Sequence, residues 1–123
     1  MDKSNYYFFN CCSNCYSHIK NIMNIQIKGD WETKDVWVND KWLDPKPSQE
    51  VYNHSPDGFN WGYGGSGPSQ LALAISLEFY DKEKALKIYQ ELKWRYIATF
   101  PQGDFKRSIN KELLDKFSEL DEV

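Results

Sequence analysis

The chain has 123 residues, 41% of them hydrophobic and 16% aromatic. That is enough for one compact domain that buries ~65% of its unfolded surface without disulfide or metal staples. A net charge of −3 and a pI near 5.3 exclude a global basic field of the kind that draws in nucleic acid, so a nucleic-acid partner is not favoured. No run approaches the ~20 apolar residues of a membrane span, and the N-terminus lacks a signal-peptide core, so a soluble cytoplasmic protein is expected.

Residues 1–22 are rich in Asn, Cys and aromatic side chains and show no periodicity. They read as an extension to a single α+β domain over residues 23–123, arising from an accessory segment or from a start codon placed too early. Cys11, Cys12 and Cys15 crowd into five positions, unlike the framework of a secreted fold. Cys12, Cys15 and His18 have the spacing of half a structural zinc site, but no second half follows, and no metal or other cofactor is expected. After Met23, NIQIKG reads as a strand.

The segment KDVWVNDKWL predicts a hairpin folded about Asn39 and Asp40, with Trp37 opposite Trp42 and Val36 opposite Leu43. Val36, Val38 and Leu43 then share one face and the two Trp the other. Pro45 and Pro47 are expected to end the sheet in extended chain. Pro68 to Tyr80 predicts a helix capped by Ser66 or Gly67, apolar nearly all round and therefore central. Asp81 caps a second helix through Thr99 with a core stripe of Ala85, Tyr89, Leu92 and Tyr96. Lys84, Lys87, Glu91 and Arg95 on this helix could touch phosphates, although their i,i+4 pairing suits a solvated face better. A short strand at Asp104–Arg107 and a last helix, capped by Ser108 and running to Leu120, complete the order β-β-β-α-α-β-α. This is a small antiparallel sheet packed against a helical hairpin and a C-terminal helix.

The loop Asn53–Gly67, NHSPDGFNWGYGGSG, is the candidate site. Its glycines admit close approach of backbone, and it feeds a helix N-terminus whose free N–H groups suit an anion. It is no Walker loop, because no lysine occurs between Lys46 and Lys82, and G-x-G-G-x-G is no dinucleotide fingerprint. The residues expected to contact a ligand are His54, Asp57, Trp61, Tyr63, Gly64, Gly65, Ser66 and Gly67. A blander reading has the glycines permit a tight crossing under the Trp61 and Tyr63 rings. His54 and Asp57 could also form an acid–base pair with Ser55 or Ser66 as nucleophile, although both stretches equally suit turns.

NHSPDGFNWGYGGSGPSQLALAI, followed by YQELKWRYIATFP and preceded by Leu43-Asp44-Pro45, resembles a small domain of unknown function from bacteria, phages and mobile elements. The resemblance covers Met23 to Leu120. That family often has glutamate where this chain has Asn60, which weakens any case for a catalytic carboxylate there. The resemblance implies no established activity, but it does imply a setting in which small proteins interfere with host defence. The expected function is therefore a non-enzymatic binding protein, recognising a partner protein or a small ligand such as a nucleotide, with a small hydrolase or nuclease using His54 and Asp57 as the alternative.

Overall fold

In a computed structural model the described residues are 24–120, with side chains described to Phe117. Cys12, Cys15 and His18 lie outside them. Strand β1 (Asn24–Gly29) is followed by β2 (Val36–Val38), β3 (Lys41–Trp42), helix α1 (Lys46–Val51), α2 (Ser66–Phe79), α3 (Lys82–Arg95), a 3-10 turn (Ile97–Thr99), β4 (Phe105–Asn110) and α4 (Lys111–Leu120). The sheet order is β3-β2-β1-β4, antiparallel throughout, and helices pack on one side. The fold is α+β, as expected.

The β2–β3 hairpin forms as its sequence predicts. Asn39 and Asp40 both take positive φ, 51° and 68°, the pair of values a two-residue I′ turn needs to follow strand twist. Asn39 Oδ1 also accepts from the Gln26 amide, tying the turn to β1. Trp37 pairs with Trp42, while Val36, Val38 and Leu43 are buried beneath the sheet with Ile25, Ile27 and Ile109. β1 and β4 pair along their whole length, from Asn24↔Asn110 to Gly29↔Phe105.

Helix α2 is the axis of the domain. Every residue from Gly67 to Ser76 is buried, with Leu71, Leu73 and Ile75 fully so. Each such side chain contributes about 1.5–3 kcal/mol relative to exposure. Its two buried serines are satisfied locally: Ser76 Oγ donates to the Ala72 carbonyl and Ser69 Oγ to that of Gly65. Helix α3 runs back beside α2, begun by Asp81, whose carboxylate accepts from the Lys84 amide. Ile88 joins Ala85, Tyr89 and Leu92 in its core stripe, whereas Tyr96 is only partly buried.

Four boundaries differ from the sequence expectation. Pro45 and Pro47 do not leave the chain extended, because proline in a first helical turn forfeits no needed donor; they open α1, with Asp44 Oδ1 accepting from the Lys46 amide. Helix α2 begins at Ser66 with Gly65 as its cap, so Pro68 stands third, where the N–H would be orphaned anyway. Helix α3 ends at Arg95 and gives way to the 3-10 turn. Ser108 stays in β4, and Asn110 caps α4 by accepting from the Glu112 amide.

Candidate functional site

The loop between α1 and α2 is held by a residue buried inside α2. Gln70 is fully buried and uses both ends of its amide. Its Oε1 accepts from the His54 and Ser55 amides at 2.7 and 2.8 Å. Its Nε2 donates to Ser48 Oγ and to the Tyr52 carbonyl at 2.9 and 3.1 Å. One side chain thus clasps α1 and the start of the loop to the central helix. Gln49 adds a second tie, donating to the Ser55 and Pro56 carbonyls. Ser55 to Gly58 closes as a turn, with Gly58 at φ 109°.

His54 lies against α3. Its Nε2 is 2.9 Å from the Tyr89 hydroxyl, and its ring stacks on Tyr52 at 4.2 Å between centroids. Burial, and then the charge of Lys93, lower its pKa below the ordinary value of 6.5. Asp57 is exposed, and no hydrogen bond joins it to His54. Of the two ring nitrogens, Nε2 is engaged by Tyr89. Ser66 is exposed at the start of α2, and Ser55 is held by the Gln70 and Gln49 bonds to its backbone.

Trp61 has a structural place. It is fully buried, donates from Nε1 to the Gly103 carbonyl at 2.9 Å, and meets Phe105 and Trp31 edge to face. It anchors the loop in the core and offers no contact surface. The adjoining Gly62, at φ 86°, is fixed by its N–H to the Ile97 carbonyl and by Gln102 donating to its own carbonyl.

Beyond Gly62 the loop forms a floor under exposed rings. A Cβ on Gly64 would fall 2.4 Å from Trp94 ring atoms, and one on Gly65 2.4 Å from the Tyr63 ring. A Cβ on Gly67 would fall 2.5 Å from Asn60 Cβ, so two stretches of backbone cross there. The expected crossing under rings is therefore present, but Trp94 takes the place foreseen for Trp61. Tyr52, Tyr63 and Trp94 are 56, 42 and 57% exposed.

Lys93 and Trp94, from the far helix, complete the arrangement. Sequence reading passed over both, because nothing in a helix thirty residues downstream signals which loop it will face. Lys93 is only 7% exposed, yet no described residue accepts a hydrogen bond from it or pairs with its charge. Its ammonium lies 4.3 Å from the Trp94 ring centroid, and that ring lies on Gly64. Next to it, α2 starts without a side-chain cap, and the Ser66 and Gly67 amides have no acceptor among the described residues. An unpaired buried ammonium and an open helix N-terminus both favour negative charge. Among the described residues no group of His, Cys, Asp and Glu is placed to hold a metal.

Residues 27–119 match the model of a family of unknown function, DUF6166, and the chain belongs to that family. No curated protein and no solved structure matches it. No helix among the described residues is long and apolar enough to cross a membrane.

Proposed function

We propose that this DUF6166 chain is a binding protein that takes a phosphate- or carboxylate-bearing ligand at the start of α2, between Trp94, Tyr63 and His54. The observation that carries the reading is Lys93. Its side chain is largely buried, with the ammonium over the Trp94 ring and no counter-charge among the described residues, and the uncapped amides of Ser66 and Gly67 call for an anion as well. The half-exposed rings of Trp94, Tyr63 and Tyr52 supply flat apolar walls for the rest of the ligand, a base or a partner's side chain. Of the residues expected from sequence, His54, Tyr63, Gly64, Gly65, Ser66 and Gly67 belong to this site. Asp57 does not, because its exposed carboxylate would repel the anion. The resemblance of the loop to sequences from bacteria, phages and mobile elements supports a cytoplasmic role as an inhibitor of host defence.

Amide-resolved NMR titration with inorganic phosphate, nucleoside monophosphates and acetate tests the site. Shifts centred on Ser66 and Gly67 are expected, with at least tenfold weaker binding in Lys93→Met. That variant should fold at least as stably as wild type, since it replaces an unpaired buried charge with an apolar chain of similar length. Unmoved Ser66 and Gly67 amides, or equal binding by the variant, would sink the proposal.

A further inference from the structure

The side of the sheet turned away from the helices carries a row that neither stability nor the site above explains. The pairings Trp42↔Trp37, Trp37↔Lys28 and Lys28↔Lys106 put these four side chains in one line across all four strands. At the usual interstrand spacing the line is about 14 Å long. Trp42 is 49% exposed, with Nε1 donating to Asp35, and the Lys28 ammonium lies 5.2 Å from the Trp37 ring centroid.

Two like charges directly opposite each other on antiparallel strands destabilise a sheet. Among the described residues neither lysine has an ion pair. Asp30 and Asp104 line the same groove but are engaged by backbone amides, Asp30 accepting from those of Glu32 and Thr33 and Asp104 from that of Trp31. The adjoining row, by contrast, is internally satisfied, with Gln26 Nε2 donating to Ser108 Oγ. Lys28, Asp30, Trp37, Asp104, Lys106 and Arg107 line an open groove of about 620 Å³, three cations against two carboxylates, in a chain whose net charge is −3. The balance is one positive charge, against the sign of the whole chain.

We propose that this row binds single-stranded nucleic acid, independently of the α2 site. Lys28 and Lys106 would hold backbone phosphate, relieving their mutual repulsion, and a base would stack on Trp42 and Trp37. An acidic peptide would answer the lysines alone. A nucleotide answers the lysines and the indoles together, in the order the row presents them.

Fluorescence anisotropy with labelled oligo-dT and oligo-U, at 50 and 200 mM salt, is the test. Two phosphate contacts on a single strand predict a slope of log affinity against log salt near −1.4. Trp42→Ala should weaken binding roughly tenfold, the scale of one lost base stack, with Trp42→Phe restoring most of it. Lys106→Glu should lower both affinity and slope, while Lys93→Met leaves oligonucleotide binding unchanged. Absence of binding at 50 mM salt, or equal affinity in Trp42→Ala and Lys106→Glu, overturns the proposal. So does competition by polyglutamate that depends on the same residues, which would mark a surface for acidic protein. Loss in Lys93→Met with Trp42→Ala intact would move the nucleic acid to the helix end and overturn it equally.

Discussion

Replacing Gln70 with leucine tests the clasp that holds the loop. Leucine fits the space but neither accepts nor donates. The Ser55 amide then loses its only acceptor, while the His54 amide keeps a weaker bond at 3.2 Å to the Tyr52 carbonyl. Ser48 Oγ still donates to Pro45, so the Nε2 side loses less. An amide stranded away from water costs about 1–3 kcal/mol, and the weakened bonds add roughly one more. The sum is about 3 kcal/mol, a large fraction of the 5–15 typical of a domain. At this size it corresponds to a fall in Tm of about 12 °C. Urea unfolding with an unchanged m value would measure it, and hydrogen exchange should show the Ser55 amide losing most protection. A loss below about 1 kcal/mol, with Ser55 protection intact, would mean that the loop is held by its own turns and the clasp is incidental.

Gly67→Ala should destabilise by about 2 kcal/mol in thermal unfolding, because the new methyl meets Asn60 backbone at 3.1 Å as well as its Cβ. Gly103→Ala, with open space around it, should be neutral in the same assay. The lowered pKa of His54 has a definite sign: the unfolded chain takes up a proton first as pH falls below about 6.5. Stability is therefore full above that value and declines from there down to the lower folded pKa. Chemical denaturation across pH 7.5 to 5 should show the decline, and His54→Gln should flatten it; an unchanged profile in that variant would place its source elsewhere.

What could be read from sequence alone follows the range of the interactions. The hairpin was legible down to its register because Asn39, Asp40 and the alternating valines decide it within eight residues. The buried character of α2 was legible too, from apolar residues on every side. The site was half legible: the glycines announce a close approach, but not which ring approaches. Trp61 and Trp94 are the same residue type, and only tertiary packing sends one into the core and the other over Gly64. Gln70 reads in sequence as a lone polar residue entering an apolar helix. Its four partners lie between 15 and 22 positions upstream, where no local pattern points to them.

The pairing of β1 with β4 also sets an order of events for the newborn chain. Its partners are separated by at least 76 residues, from Gly29↔Phe105 outward, so this half of the sheet has high contact order and forms slowly. During synthesis β1 can take up β2 and β3 at once, but its other edge waits until residues 105–110 have left the ribosome. Ile25 and Ile27 meanwhile lack the Ile109 side of their packing. A strand edge open for that interval is where pairing with a second copy competes with folding. The facing lysines of the Lys28↔Lys106 pair put one charge on that edge, which discourages the wrong partner before the right one arrives.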